Sequence, residues 1–492
     1  MDYEIVIGLE AHAHLATKTK LFCGCSTRFG APPNSQTCPV CTGQPGVLPV
    51  MNRTAFDYAL KTALALGCSI TRDTVIDRKN YYYPDLPKNY QISQLYANLG
   101  VDGALDLQFG DHTRRVRIHN VHIEEDAGKL IHPDDTVLPA PQPGDDPVAG
   151  RTMVDLNRTG IPLVEIVTQP DMRSVDEARV YMETLAAILR YLGVSECKMQ
   201  EGDLRFEPSI SLRPHGAQAY GDRVEIKNVN SMKAVVRALE YEVRRQTAAL
   251  EHSETIARET RLWDEAAGRT APMRSKELAH DYRYFPEPDL VPIHVDDAWI
   301  ERLRASLPEL PAARRQRFVD AYGLPPYDAG VLVDDRALAD YFEACVAAGA
   351  DPKAASNWIM VSALHELNER ALTIDQLRDK VSPERLAQLI ALVTDGTIAQ
   401  NTGKDVFAEM VATGSSAAEI IEAKGLRQIS DTDELGAIVL GVLRDNPQAA
   451  EDLRAGKKKA QGFLMGQVMR ATKGKANPKL VAHLIAAKLP EA

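Results

Sequence analysis

Glu10, His12 and His14 occupy alternate positions in GLEAHAHLA, and Leu9, Ala11, Ala13 and Leu15 between them are apolar. Side chains on a β-strand point to opposite faces in turn, so this pattern buries one face and gathers a carboxylate and two imidazoles on the other. Those are donor types that bind divalent metal ions or move protons. A second acidic group lies in RVRIHNVHIEEDAGK, residues 115–129. Val116 and Ile118 are even-numbered whereas Val121 and Ile123 are odd, which predicts a bulge near His119–Asn120. Glu124 and Glu125 then face opposite ways, and only one of them reaches a shared site; parity does not choose between them. Asp155, Arg158 and Glu165 follow in MVDLNRTGIPLVEIVTQPD, and Glu225, Lys227 and Asn228 in GDRVEIKNVNS. So many carboxylates beside so few cations suit Mg²⁺ and phosphate chemistry.

The stretch CGCSTRFGAPPNSQTCPVC sets Cys23, Cys25, Cys38 and Cys41 as Cys-x-Cys, twelve residues, then Cys-x-x-Cys. Four thiolates at this spacing close tetrahedrally on Zn²⁺ and leave no open position, so the site reads as structural. A redox pair is the competing reading, but no thioredoxin-like βαβ pattern surrounds it. Cys68, Cys197 and Cys345 are scattered and do not suggest a disulfide framework. The segment DRKNYYYPDLPKNYQISQ, residues 77–94, makes a poor helix and an interrupted strand. It reads either as a loop presenting Lys79, Lys88 and phenols to a polar ligand, or as an aromatic surface packed on another subunit.

The elements that must hold these groups follow from periodicity and caps. Helices are predicted over 54–67, over 174–193 with Ser174 as N-cap and Glu177 completing a capping box, and over 230–250. Strands are predicted over 4–15, 114–123, 152–156, 162–168, 206–213 and 222–227, and 132–150 reads as an exposed Pro- and Asp-rich loop. No βαβ rhythm joins them, so the fold class is α+β. From Ala298 onward the pattern is helical, with a further change near 395–405. Three domains are expected: a catalytic domain over 1–292, a helical domain over 293–404, and a helical, locally basic tail over 405–492 with Arg454, Lys457, Lys458, Lys459, Arg470, Lys473, Lys475 and Lys479. Asn477 and Pro478 read as N-cap and first residue of the terminal helix.

The chain has 492 residues, 45% hydrophobic and 25% charged, with a formal net charge of −11. That balance belongs to a globular protein without a general nucleic-acid-binding surface, so any such contact must be local. No apolar run is long enough to span a membrane and the first residues lack a basic leader, so a cytoplasmic location is expected. P-loop, dinucleotide and nucleophile-elbow motifs are missing, as is a Gly/Ser-rich amidase segment.

Several long motifs occur together and in order: IGLEAHAHL, the cluster ending CPVC, YYYPDLPKNYQISQ, VHIEEDAGK, DLNRTGIPLVEIV, VEIKNVNS and DYRYFPEPDL. In them the chain resembles, over essentially its whole length, the B subunits of GatCAB-type aspartyl/glutamyl-tRNA amidotransferases, with a YqeY-like tail. The resemblance implies a cradle-shaped, mixed or antiparallel sheet domain with a zinc knuckle, followed by all-helical domains. It implies ATP-dependent phosphorylation of the side-chain carboxylate of Glu-tRNA(Gln) or Asp-tRNA(Asn). Ammonia from an amidase A subunit then displaces the phosphate, and a small C subunit completes a heterotrimer; no membrane or DNA partner is expected. It implies that Glu10, His12 and Glu125 bind Mg²⁺, with Glu124 the less favoured of the acidic pair, and that Cys23, Cys25, Cys38 and Cys41 bind Zn²⁺. Lys79 and Lys88 are then candidates for phosphate contact or for lining the ammonia route, and Arg205 lies near the nucleotide. The tail would bind tRNA. The segment EGDLRFEPSISLRP departs from the family pattern at Glu207 and Ser209, and no role is carried over for those two. The rival reading is a non-catalytic tRNA-binding assembly subunit.

Overall fold

The computed structural model describes residues 3–109, 112–131, 152–273, 282–429, 432–455, 457–472 and 475–489. The loop expected over 132–150 and the tail's Lys473 lie outside the described residues. The chain divides into two compact units, Met1–Leu310 and Pro311–Ala492.

The first unit is built on a nine-stranded sheet. In spatial order its strands are Arg269–Pro272, Glu259–Asp264, Val224–Lys227, Leu204–Pro214, Tyr3–His14, Pro162–Thr168, His112–Glu125, Gly100–Phe109 and Ser69–Ile70. All neighbouring pairs are antiparallel except Val224–Lys227 beside Glu259–Asp264. The N-terminal strand is central, which fits its alternation. Leu9, Ala11 and Ala13 face inward, as do Val164 and Ile166, Val121 and Ile123, and Leu204 and Phe206 on its neighbours. Three helices cover that face, Arg53–Ala65, Val175–Leu192 and Met232–Glu251, through residues such as Phe56, Leu60, Tyr181, Leu185, Val235 and Leu239. The opposite face is left to the polar residues between. The α+β class holds.

Local chemistry starts and stops the helices where the sequence says. Ser174 Oγ accepts from Glu177 N at 3.0 Å, and Gly193 leaves the helix left-handed at φ 66°. The Glu177 carboxylate accepts from Arg173 N rather than Ser174 N, so the capping box is only half made. The expected bulge is present: Val167 pairs with Asn120 and Thr168 with Ile118, passing over His119.

Two expected boundaries move. The helix Asp297–Ala305 stays with the first unit, because Ile300 and Leu303 enter its core and Trp299 packs at a tilt against Phe56 with centroids 5.4 Å apart. The boundary expected at 404 falls inside the helix Gln400–Thr413, whose Val406, Phe407, Met410 and Val411 complete the core that begins at Phe318. Among the described residues the second unit thus has two cores, one running from Phe318 to Ile421 and one from Leu435 to Ile485. At the terminal helix, Asn477 Oδ1 accepts from Lys479 N at 3.0 Å and Pro478 stands at the first turn, as expected.

Candidate active site

The polar face of the central strand is where the chemistry collects. Register places His12 opposite Glu165 on one side and Arg205 on the other, and Glu165 opposite His122. Glu165 therefore sits between two imidazoles, 3.2 Å from His12 Nε2 and 3.3 Å from His122 Nε2. Glu10 lies 3.5 Å from His12, and Glu124 lies 3.5 Å from His122. Two overlapping trios result, Glu10–His12–Glu165 and His122–Glu124–Glu165, each with its donor atoms within 4.8 Å of one another.

This packing of charge sets the protonation states. Burial disfavours a charged His12, but Glu165 and Glu10 outweigh it and raise the ring to about 9. The same opposition, with Glu165 and Glu124, raises His122 to about 10. Burial would lift Glu165, yet the two imidazoles hold it well below the usual carboxylate range. Glu10 is pushed to about 7 by burial and by the charge of Glu165. The protons on the two rings balance the carboxylates, as a divalent cation would. Three carboxylates and two imidazoles fit such an ion: the carboxylates suit Mg²⁺, and the imidazoles extend the set toward Mn²⁺.

Glu125 is not part of this group. The strand turns it to the other side, where it is buried, paired with Lys88 and accepting from Ile92 N at 3.1 Å. Glu124, the member of the acidic pair given the lesser role, is the one beside His122, and it accepts from Ser93 Oγ at 2.5 Å and Gln91 Nε2 at 3.2 Å. The physical reason is the bulge, which turns even-numbered residues after Asn120 onto the site face. The two lysines separate in the same way. Lys79 lies among Tyr81 and Tyr282, 5.9 and 5.2 Å from their ring centroids, and burial against its charge is overcome by Glu124 and others nearby, so it stays protonated. Lys88 lies instead over Tyr90, at 5.0 Å, and lines a cavity of about 120 Å³ with Glu125, Gly160 and Cys41.

Arg205 borders the site, held by Asp126 at 3.1 Å. Asp126 also takes His14 Nε2 at 2.6 Å and Arg158 at 3.3 Å, so His14 is committed to a carboxylate away from both trios. Glu207 stands beside Glu10 in register and is tied to Lys227 at 2.9 Å. His122 and Asp126 were not singled out from the sequence. The alternation of His122 with Glu124 repeats that of His12 with Glu10, and was the signal available for the first of them.

The four knuckle cysteines converge as the spacing predicts, with their sulfurs within 4.8 Å of one another. Hydrogen bonding from Cys23 holds the Cys41 thiol below its ordinary range. The loop is fastened to residues 153–157: Asn34 N donates to Asp155 Oδ1 at 2.9 Å, Leu156 N to Asn34 Oδ1 at 2.8 Å and Gln36 N to Asn157 Oδ1 at 2.8 Å. Four soft donors and no carboxylate fit Zn²⁺.

A family model described as "GatB/GatE catalytic domain" matches residues 5–301, and one described as "GatB domain" matches residues 340–489. The chain is 54% identical over 489 residues to a protein of Moorella thermoacetica, covering 99% of this chain and 100% of that one. It is 50% identical over 490 residues to one of Caldicellulosiruptor saccharolyticus and 49% identical over 483 residues to one of Brevibacillus brevis, with at least 98% of each chain covered. Each of the three is named as the B subunit of an aspartyl/glutamyl-tRNA(Asn/Gln) amidotransferase. Among the described residues, no helix is long and apolar enough to cross a membrane.

Proposed function

The chain belongs to the family of aspartyl/glutamyl-tRNA(Asn/Gln) amidotransferase B subunits, and from that premise we propose that its polar sheet face activates the carboxylate to be amidated. It is one component of a tRNA-dependent amidotransferase, a carbon–nitrogen ligase of the glutamine-dependent class. A carboxylate resists ammonia because attack would have to expel oxide. In the proposed reaction a carboxylate oxygen of Glu-tRNA(Gln) or Asp-tRNA(Asn) attacks the γ-phosphorus of ATP, the β–γ bond breaks and ADP leaves. Ammonia then forms the C–N bond, the acyl C–O bond breaks, and phosphate departs as the nitrogen loses a proton.

The chain's own residues divide the work. Glu10, His12, Glu165, His122 and Glu124 would hold divalent ions, which supply charge neutralisation for phosphoryl transfer when bound. Lys79 and Arg205, the cations that border the same face, bind phosphate oxygens. Lys88 and Glu125, on the far side, line the way by which ammonia arrives. The cysteine knuckle holds zinc. An amidase A subunit supplies the ammonia and a small C subunit joins the two, while Arg454, Lys459, Arg470, Lys475 and Lys479 offer cations to tRNA phosphates.

One observation carries the reading: five metal-type donors from three adjacent strands meet on one face, with Lys79 and Arg205 beside them. The test uses the chain co-purified with its A and C partners and given ATP, Mg²⁺, ammonium and Glu-tRNA(Gln) without glutamine. Gln-tRNA and ADP should appear together and vanish with His12→Ala, which should keep its fold and zinc. Tight tRNA binding with no product on either Glu-tRNA(Gln) or Asp-tRNA(Asn) would favour the assembly-subunit reading.

A further inference from the structure

Lys20 is among the most thoroughly buried side chains of the first unit, 1% exposed, although lysine is the residue least often enclosed. Its ammonium has no carboxylate within ion-pairing distance among the described residues. It donates instead to Cys41 Sγ at 3.6 Å and to the Leu156 carbonyl at 3.4 Å. An enclosed cation needs an anion close by, since water cannot reach it. A divalent ion bound by four thiolates has a net charge of −2, and Cys41 is the innermost of the four. The unusual burial of Lys20 and the excess negative charge of the knuckle answer each other.

We propose that Lys20 is the internal counter-cation of the tetrathiolate zinc centre and fastens that centre to the 155–160 turn beside the active site. This rests on the reading of the knuckle as a zinc site. The connection is continuous on both sides. Lys20 N donates to Cys25 O at 3.0 Å within the knuckle, and Leu21 N donates to Gly160 O at 2.9 Å on the turn. A Cβ built on Gly160 would stand 3.5 Å from Cys41 Cβ, 3.6 Å from Lys20 Cδ and 3.8 Å from Glu125 Oε2, so the side chains of Cys41, Lys20 and Glu125 all pack around one glycine. From the same turn, Arg158 reaches the carbonyls of Ala127 and Gly128 at 3.0 and 2.6 Å and the carboxylate of Asp126, which holds His14 and Arg205. Lys20 is thus a positioning residue, acting through the zinc ligands and the turn.

Lys20→Met keeps the length of the side chain and removes its charge. Zinc release from the full-length chain to a chromogenic chelator, and melting temperatures with zinc and after its removal under reducing conditions, are compared with wild type. Loss of an outer donor to a metal ligand costs roughly 10- to 100-fold in affinity, so zinc should be held at least about tenfold more weakly. The melting temperature should fall more for the zinc form than for the metal-free form, because only the zinc form carries all four thiolates whose excess charge Lys20 offsets. A mere filler would lower both forms equally. Zinc affinity within twofold of wild type, or equal destabilisation of the two forms, overturns the assignment. Lys20→Gln gives the same comparison if the Met variant fails to accumulate. Wild type that purifies without metal and takes up no zinc removes the centre, and the proposal with it; zinc-loaded wild type matched by the variant removes Lys20 alone.

Discussion

A divalent ion entering at Glu10, His12 and Glu165 must displace protons, and the geometry says how many. Burial and Glu165 bring Glu10 to about 7, while Glu165 and Glu10 prevail over burial and bring His12 to about 9. Below pH 7 both groups carry a proton that the ion must remove; between 7 and 9 only His12 does; above 9 neither does. Affinity therefore gains roughly 100-fold per pH unit below 7, roughly tenfold per unit from 7 to 9, and then levels. The His12 limb is the firmer one, since its side chain is 14% exposed whereas that of Glu10 is 40% exposed and screened by water. From about pH 7 to about pH 8.5 the expected gain is roughly 30-fold, or about 2 kcal/mol. Calorimetric titration with Mn²⁺ in two buffers of different ionisation enthalpy counts the protons directly. About one should leave per ion near pH 8, and about two near pH 6. Affinity flat within about threefold over the alkaline limb, with less than about half a proton released, would mean that His12 is neutral in the free protein, and the argument would be refuted.

The remaining predictions separate residues that adjacency in sequence confuses. Glu124→Gln should weaken Mn²⁺ binding at least about tenfold in the same titration and lower the urea midpoint less than Glu125→Gln does, since Glu165 still faces His122. Glu125→Gln should do the reverse, since it leaves Lys88 enclosed without its carboxylate, and urea unfolding should register a loss of about 3 kcal/mol. Trp299→Ala should lower the melting temperature of the first unit, by about 3 kcal/mol of lost packing on Phe56 and of the bond from Nε1 to Asp57 at 2.5 Å. Chain terminated after Thr413 should melt less cooperatively than chain terminated after Arg427, because Ile420 and Ile421 belong to the core that the longer form completes.

Much of this arrangement was legible because β-strands advertise their two faces. The alternation of the first strand, the helix caps at Ser174 and Asn477, the cysteine cluster and even the bulge were all readable, since each depends on neighbours close in sequence. The choice of Glu124 over Glu125 was not, because it depends on which face of the strand His12 and Glu165 share across two register steps. Glu165 counted only as one more carboxylate until the pairing with His12 and His122 was known. The boundary at residue 310 was hidden for a similar reason: Ile300 and Leu303 look like ordinary helical residues, and only the three-dimensional core says which domain claims them. The burial of Lys20 has no sequence signal at all.

The bulge at His119–Asn120 has a role apart from its usual one of twisting a strand. Up to Ile118 the even-numbered residues of the long strand fill the core, and beyond Asn120 the odd-numbered ones do. One unpaired residue thus shifts the phase of everything after it, and the chemistry of the strand exists only downstream of that shift. Deleting His119 would leave the strand's composition almost unchanged, yet it would aim Val121 and Ile123 at the polar face and press His122 and Glu124 into the hydrocarbon interior. The sheet has a reading frame, and the site depends on its being kept.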